Sequence, residues 1–319
     1  MICEGEPLKI LVPGTLAIDW DATSGCEFLS YDPSAPIPPS LRGAEVLVAW
    51  GNSKQNLECA ANEMPRLVWV QSLAAGVDPL LDAGFAENVV LCSGRSLHDT
   101  TVSEHALALL LALVRDLPGL GRAQQRAEWS DELRVAQVED GRPGPVRTLD
   151  GATVAVWGFG SIGRKLAPLL TALGANVTAI VRSAPGGDED VATGQVKDVL
   201  PHVDVLVMVL PGTSENRHAL GRAQLHLMRP GTWLVNVGRG STVDERAVVE
   251  ALDAGLLAGA ALDVFDAEPL PATSPLWSHP RVLVTPHVAG GRPRGAAELF
   301  AYNLGQHRRG QPLLNEVTR

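Results

Sequence analysis

The chain has 319 residues, 45% of them hydrophobic and 19% charged, a composition ordinary for a globular protein with room for two domains. Its net charge of -10, with no basic stretch to offset it, argues against a nucleic-acid partner. Residues 1–10 include Glu4 and Glu6, and no apolar run approaches membrane-spanning length, so we expect a cytoplasmic protein without a membrane partner. The four cysteines are scattered without a C-x-x-C pair, and we expect no metal site.

The first part of the chain consists of short apolar runs separated by turn-rich or helical segments. This spacing predicts a small parallel sheet with crossover helices. The runs cover residues 8–12, 26–31, 46–50, 67–71 and 89–92. A loop of small residues, 72–78, follows the fourth run and could turn backbone amides toward an anion.

A long helix is predicted where the pattern changes at Thr101. Thr101 and Glu104 have the spacing of a capping box, and apolar residues recur at helical spacing to about Asp116. A second helical piece reaches about Trp129, and the polar, Pro/Gly-rich residues 131–150 predict a loop. We expect the long helix to connect two domains and its surplus apolar surface to form a homodimer contact.

Residues 153–181 predict a strand, a glycine-rich turn, a helix and a second strand. In a G-x-G-x-x-G turn the first glycine allows the bend, the second lets the backbone approach a pyrophosphate, and the third lets helix and strand pack closely. The helix N-terminus adds free N–H groups and a positive dipole. We therefore assign these residues to a dinucleotide: Gly158, Phe159, Gly160, Ser161, Ile162 and Gly163.

The end of the second strand of this unit favours NADP(H). NAD sites usually place an acidic residue about 20 residues past the glycines, whereas a cation there suits the 2′-phosphate of NADP. This chain has Arg182 and Ser183 at that point, and its nearest acidic residues lie beyond a Pro-Gly-Gly turn. A solvated Arg182 without a cofactor role is the alternative, and NAD(H) stays possible.

Four further apolar runs predict more parallel strands, at residues 203–210, 233–237, 259–264 and 281–285. Ligands of doubly wound sheets bind outside the carboxyl ends of the strands, where polar residues of this chain cluster. To the cofactor we assign Leu210, Pro211, Thr213, Val237 and Gly238, and to catalysis Arg239, Glu268 and His287; Asp263 lies at the same strand ends. A histidine can move a proton at neutral pH, a carboxylate beside it would favour the imidazolium, and a guanidinium can bind a substrate carboxylate.

Five motifs in this order resemble the signature series of the D-isomer-specific 2-hydroxyacid dehydrogenases. They are G-F-G-S-I-G at 158–163, N-V-G-R-G at 236–240, L-D-V-F-D-A-E-P-L at 262–270, S-P-L-W at 274–277 and T-P-H at 285–287. The resemblance implies an α/β fold with two doubly wound parallel-sheet domains. These would be a flavodoxin-like substrate domain at 1–99 plus 290–319 and a Rossmann dinucleotide-binding domain, with the long helix, at 100–289.

The resemblance also implies roles for individual residues. His287 would be the acid/base, Glu268 its partner and Arg239 the ligand of the oxoacid carbonyl and carboxylate, while Asp263 would hold the nicotinamide carboxamide. Ala75 and Gly76 would offer amides to the substrate carboxylate. The substrate site as a whole is assigned to Trp50, Ala74, Ala75, Gly76, Arg239 and His287.

Within this family, the chain looks most like the glyoxylate/hydroxypyruvate reductase branch, which prefers NADPH. Arg182 with Ser183, Trp50 and the S-P-L-W motif carry that likeness. The stretch Leu73-Ala74-Ala75-Gly76 lacks the first glycine of the usual carboxylate loop, which leaves the substrate size open. Residues 213–216 also lack the second threonine that the family has at the cofactor flank.

We therefore expect an oxidoreductase that converts a small 2-oxoacid to a D-2-hydroxy acid with NADPH, acting as a homodimer. A dinucleotide-sensing scaffold is one alternative, because the family includes a transcriptional corepressor. The other is a dehydrogenase of another small anion, such as phosphite, or of a bulkier 2-hydroxy acid. The remaining histidines are expected to be surface or capping residues: His98, His105, His202, His218, His226, His279 and His307.

Overall fold

The computed structural model describes residues 6–20, 25–138, 144–182 and 190–318. The strands are β1 (Leu8–Pro13), β2 (Cys26–Tyr31), β3 (Val46–Ala49), β4 (Trp69–Ser72), β5 (Val90–Cys92), β6 (Thr153–Trp157), β7 (Asn176–Val181), β8 (Asp190–Ala192), β9 (Val205–Met208), β10 (Thr232–Asn236), β11 (Leu257–Leu262) and β12 (Val282–Val284). The helices are α1 (Lys54–Glu63), α2 (Asp78–Asp82), α3 (Asp99–Val114), α4 (Leu117–Gln125), α5 (Asp131–Ala136), α6 (Ser161–Ala172), α7 (Val196–Val199), α8 (Arg222–Leu225), α9 (Glu245–Asp253) and α10 (Ala296–Arg308).

The chain divides into two compact units. The first contains Met1–His98 and Arg292–Arg319, and the second contains Asp99–Gly291. The sequence placed these boundaries at 99/100 and 289/290, and the substrate and dinucleotide roles assigned to the two parts stay predictions.

The first unit is built on a five-stranded parallel sheet in the order β2-β1-β3-β4-β5, which is the flavodoxin-like order. Near-continuous apolar strands form it because both faces are covered. On one face Phe300 of α10 stacks on Trp69 of β4, with ring centroids 5.1 Å apart. This contact ties the C-terminal helix to the core of the unit.

The second unit is a seven-stranded parallel sheet in the order β12-β11-β10-β9-β6-β7-β8. Strand order reverses between β6 and β9, so the ends of these two strands form a topological switch point, where doubly wound sheets bind their ligands. These two sheets confirm the predicted fold class. In the part of the chain that the structure describes, no helix is long and apolar enough to cross a membrane.

Helix α3 uses its apolar stripe inside the second unit. Its residues Val102, Ala106, Leu109, Leu110 and Leu113 are buried, in a cluster that includes residues of α6, β10 and β11. The stripe is therefore used within the second unit, and the homodimer contact expected of the helix's remaining apolar surface stays a prediction. Further large apolar side chains are exposed after α3, between residues 117 and 138.

Three local predictions were wrong. The capping box at Thr101 lies inside α3, which begins at Asp99, and the Ser103 hydroxyl donates back to the Asp99 carbonyl within the helix. The predicted loop 131–150 contains α5, capped by the Ser130 hydroxyl. Strand β8 was not predicted, because three residues are too few for a periodic pattern.

Candidate active site

The glycine turn lies at the switch point, directly after β6. Gly158 has φ +102, and a Cβ there would lie 2.6 Å from the Val209 carbonyl oxygen of the loop after β9. At Gly163 a Cβ would lie 3.0 Å from the Gly158 carbonyl oxygen, so α6 packs tightly on the turn. A Cβ at the exposed Gly160 would meet no described atom within 4 Å. Packing therefore does not require a glycine at position 160. A position without a side chain there would let a pyrophosphate approach the N-terminus of α6.

The other residues of the turn have defined contacts. The Arg164 guanidinium lies 5.4 Å from the centre of the Phe159 ring. The Ser161 hydroxyl donates to Asp99 Oδ1 at 3.0 Å, and the Ser103 hydroxyl oxygen lies 3.3 Å from the Ile162 carbonyl oxygen. Both partners belong to α3, so this helix holds the start of α6 in place.

Arg182 directly follows β7, and its side chain is exposed. This position at the end of the strand next to the glycine turn is the one that a 2′-phosphate ligand would need. Ser183, which the sequence paired with it, lies outside the described residues.

Arg239 is held where three strand-end loops meet. Its Nη1 donates to the Gly238 carbonyl at 2.9 Å, and its own carbonyl accepts from the Thr242 hydroxyl at 2.6 Å. Gly240 lies so close to the loop after β11 that a Cβ there would be 1.8 Å from the carbonyl carbon of Phe265. The half-buried guanidinium is thereby brought to the loop that carries Glu268. Of the cofactor residues predicted nearby, Leu210, Val237 and Gly238 are buried, while Pro211 and Thr213 are exposed.

His287 and Glu268 form a close pair. Glu268 Oε2 lies 2.6 Å from His287 Nδ1, and Glu268 Oε1 accepts from the Phe265 amide at 2.9 Å. The His287 side chain is 46% exposed, so its ring is accessible to a small molecule. Because Nδ1 is engaged by the carboxylate, Nε2 is the nitrogen that can exchange a proton with substrate.

Burial would by itself favour the neutral acid of Glu268. Hydrogen bonds from His287 and from the Phe265 amide, with the positive charges of His287 and Arg239, outweigh burial and lower the pKa of Glu268 below its ordinary value. Glu268 is therefore a carboxylate at neutral pH, which suits a partner of an imidazolium.

Asp263 is almost fully buried beside the segment that carries His287. Its side chain is only 1% exposed, and its carboxylate accepts from the Thr285 hydroxyl (2.5 Å) and from the amides of Val288 and Ala289 (both 3.0 Å). The residue therefore holds the segment around His287, and its expected contact with the nicotinamide carboxamide stays a prediction.

The loop expected to bind the substrate carboxylate belongs to the first unit. Within the stretch 73–76, Leu73 is fully buried, Ala74 is half-buried and Ala75 is exposed. The Ala74 amide donates to Ser72 Oγ, and the Ala74 carbonyl accepts from the Gly94 amide. The Ala75 and Gly76 amides stay the predicted ligands of a substrate carboxylate.

Two histidines that the sequence assigned to the surface have partners in the interior. His98 is buried, its Nε2 lies 2.8 Å from the Leu73 carbonyl oxygen, and its ring stacks on Trp50 at 5.3 Å. His105 contacts Thr285 and Asp263. No local pattern could have found these contacts, since the partners are 25 to 180 residues away in the chain. Among the described residues no group of three His, Cys, Asp or Glu could hold a metal ion.

Comparison with known proteins gives one consistent family. Residues 107–289 match the family model of the D-isomer specific 2-hydroxyacid dehydrogenase NAD binding domain. Glyoxylate/hydroxypyruvate reductase A of Serratia proteamaculans is 33% identical over 84% of this chain and 84% of the relative.

Solved structures are also similar over nearly the whole chain. A D-isomer specific 2-hydroxyacid dehydrogenase family protein of Aeromonas salmonicida has 29% identity and a TM-score of 0.83, over 98% of this chain and 99% of that one. An NADPH-dependent glyoxylate/hydroxypyruvate reductase of Sinorhizobium meliloti, in complex with NADP and sulfate, has 27% identity and a TM-score of 0.78, over 98% of both chains.

Proposed function

Since the chain belongs to the D-isomer-specific 2-hydroxyacid dehydrogenases, a family of NAD(P)-dependent oxidoreductases, we propose that it reduces glyoxylate or hydroxypyruvate with NADPH. The observation that carries the proposal is the His287–Glu268 pair, in the same unit as the glycine turn and with Arg239 near enough to lower the pKa of Glu268. Such a set can bind an oxoacid and protonate its carbonyl oxygen.

In this mechanism each residue has one task. Arg239 binds the carboxylate and carbonyl of the oxoacid through its planar guanidinium. The reduced nicotinamide, when bound, supplies a hydride to the carbonyl carbon. His287 gives the proton on Nε2 to the oxygen that becomes an alkoxide, which yields the D-2-hydroxy acid and a neutral imidazole. Glu268 keeps the ring oriented and favours its charged form before the transfer.

The cofactor would be held by the glycine turn and the strand ends beside it. Gly158, Gly160 and Gly163 bring the backbone to the pyrophosphate, and Arg182 binds the 2′-phosphate. NADP is the dinucleotide in the Sinorhizobium meliloti structure, and NADPH is present in a similar dehydrogenase of Xanthobacter autotrophicus with a TM-score of 0.79 and 27% identity. NADH stays a possible second cofactor.

The substrate carboxylate would also meet the Ala75 and Gly76 amides, with Trp50 beside it. We also propose a cytoplasmic homodimer without a nucleic-acid or membrane partner. The net charge of -10 supports the absence of a nucleic-acid partner, and the exposed apolar residues after α3 support the homodimer.

Initial rates of NADPH and NADH oxidation across a panel of 2-oxoacids test the proposal. The panel is glyoxylate, hydroxypyruvate, pyruvate, phenylpyruvate and a branched-chain oxoacid. We expect glyoxylate or hydroxypyruvate to give the highest kcat/KM, with NADPH preferred. No turnover from protein that binds NADPH would favour the dinucleotide-sensing scaffold, and turnover only of another anion would favour the alternative dehydrogenase.

His287→Ala is the variant that identifies the proton donor in the same assay. We expect kcat to fall by about 10² to 10⁴, the usual contribution of general acid catalysis, with an unchanged Kd for NADPH. Full turnover by this variant would remove His287 from the mechanism. An exposed histidine of the same unit, His226, offers the control His226→Ala.

A further inference from the structure

A buried hydrogen-bond network surrounds the segment that carries His287. At its centre is Asp263, which follows β11 and accepts from Thr285 before His287 and from Val288 and Ala289 after it. The Asp263 backbone carbonyl also accepts from the His287 amide, at 2.8 Å. Asp263 therefore holds the chain on both sides of the histidine.

This restraint matters because His287 has an unfavourable backbone conformation. Its φ is +52, in the left-handed region that residues other than glycine rarely adopt. Such a conformation persists only where surrounding contacts enforce it. The direction in which the imidazole leaves the chain thus depends on the bonds to Asp263.

His105 is the member of this network that comes from another element, the helix α3. Its Nε2 lies 3.1 Å from Thr285 Oγ1 and 3.4 Å from Asp263 Oδ1, and its side chain is 23% exposed. The Thr285 hydroxyl has one hydrogen, which it donates to Asp263. Its oxygen must therefore accept from His105, so His105 carries a hydrogen on Nε2.

The same helix makes a second contact with this segment. The Thr101 hydroxyl, one turn earlier on α3, donates to the Gly290 carbonyl at 2.5 Å. Thr101 and His105 lie four residues apart, so they face the same side of the helix. Residues 285–290 are thereby attached to α3 at both ends.

We propose that His105 is a positioning residue for the reaction. Its Nε2–H donates to the Thr285 hydroxyl and so maintains the hydrogen bond from Thr285 to Asp263. Through these two residues it holds His287 in the geometry for proton transfer. This inference rests on the proposed function. It also gives Asp263 a part in the positioning of His287. Misplacement of a reacting group by about 1 Å can lower the rate about 100-fold, so the loss of one such bond should be measurable.

The test compares His105→Leu, which removes the donor, with His105→Gln, whose amide nitrogen can take the place of Nε2. We expect His105→Leu to lower kcat by about 10- to 100-fold, with the KM for the oxoacid and the Kd for NADPH nearly unchanged. His105→Gln should recover most of kcat. Wild-type kcat in His105→Leu, or equal losses in both variants, would overturn the inference, and His226→Leu is the control for loss of a histidine elsewhere.

A second readout does not need activity. The Nδ1 proton of His287, shared with Glu268, should give a downfield proton NMR signal that His287→Ala identifies by its absence. We expect this signal in the wild type and in His105→Gln, and its loss or shift in His105→Leu. An unshifted signal in His105→Leu would contradict the inference. An inactive wild-type protein would refute the proposed function alone. The NMR signal would still test whether His105 positions His287.

Thr285 provides a second pair of variants if His105→Leu does not fold. Thr285→Ser keeps the hydroxyl, whereas Thr285→Val removes it with little change of shape. The network predicts a loss of kcat in Thr285→Val and not in Thr285→Ser. Where His105→Leu folds, the double variant with Thr285→Val should have a kcat no lower than that of the more impaired single variant, because both substitutions remove the same hydrogen bond between residues 105 and 285. Additive losses of kcat would contradict a role for that hydrogen bond.

Discussion

At the scale of single residues, the charge of Glu268 is set by its surroundings. The side chain is 36% exposed, yet it accepts from His287 and from the Phe265 amide and lies in the field of Arg239. Hydrogen bonds and positive charges thus exceed the effect of partial burial. Because the pKa of Glu268 is lower in the folded protein than its ordinary value, the free energy of unfolding depends on the protonation of Glu268.

Glu268→Gln should therefore change how stability depends on pH. Below the ordinary value of 4.5, the unfolded chain takes up a proton at residue 268 that the folded protein does not. In the wild type the free energy of unfolding therefore falls as pH drops from about 4.5 through the lowered folded pKa of Glu268. Urea denaturation between pH 3 and pH 7 (roughly the range in which folded carboxyls titrate) should show a flatter dependence for the variant.

Glu215→Gln is the matched control, because Glu215 is an exposed carboxylate in the same unit. It should keep the pH dependence of the wild type. Equal slopes for wild type and Glu268→Gln would show that the pair does not stabilise the folded state.

Arg182 is the residue on which the cofactor preference should depend. Hydrogen bonds to charged groups contribute about 1.5 to 3 kcal/mol, so Arg182→Ala should weaken NADPH binding about 10- to 150-fold. NADH lacks the 2′-phosphate and should be little affected. Fluorescence titration with both dinucleotides measures the two Kd values, and Arg246→Ala, an exposed arginine on α9, is the control. Equal losses for both cofactors would refute the assignment to the 2′-phosphate.

At the scale of elements, glycines allow the strand-end loops of the second unit to pack closely against one another. Gly240 lies against the backbone of Phe265, which brings the loop after β10 to the loop after β11. The first loop carries Arg239 and the second carries Glu268. Helix α3 complements them, because it contacts both the start of α6 and the segment around His287.

Gly240→Ala should separate these loops. A Cβ would overlap the Phe265 backbone, which cannot rotate away, and overpacking of this kind usually costs about 1 to 3 kcal/mol. We expect a lower urea midpoint and a lower kcat, because Arg239 and Glu268 move apart. Gly194→Ala, where a Cβ would meet no atom of the described residues within 4 Å, should leave both unchanged. Wild-type stability and kcat in Gly240→Ala would show that the loops can part without effect.

At the scale of the whole molecule, the segment after α3, residues 117–138, exposes several large apolar side chains. Trp129 has 89% of its surface exposed, and other large apolar side chains of this segment are also exposed: Leu117, Leu120, Val135 and Val138. Apolar patches of this kind usually mark contacts with another protein. The proposed homodimer would cover this segment with a second copy of the chain.

Trp129→Asp should weaken that dimer. Loss of a central interface tryptophan commonly costs 2 kcal/mol or more, about a 30-fold rise in the dimer Kd. Sedimentation velocity over a concentration series should show dimers for the wild type and monomers for the variant at low concentration. Tyr302→Ser removes an exposed aromatic residue of α10 and should leave the dimer intact. A monomeric wild type, or an unaffected variant, would exclude this interface.

The sequence alone determined the fold class, most strands and the residues of the pair. Parallel strands buried on both faces need continuous apolar runs, and the glycine turn needs bare positions at fixed spacing, so both leave a local pattern. Arg239, Glu268 and His287 could be selected because each follows a predicted strand and lies in a family motif. Their proposed roles stay predictions.

Only the tertiary structure decided the direction of side chains and the partners of distant residues. Asp263 lies in a family motif, but its carboxylate turns inward because amides and a hydroxyl from residues 285–289 surround it. His105 looks like one more residue of an amphipathic helix until Thr285, 180 residues away, is found beside it. Leu73 begins the stretch expected at the substrate carboxylate, and only packing shows that its side chain is buried. Hydrogen bonds and burial depend on neighbours in space, and a sequence pattern records only neighbours along the chain.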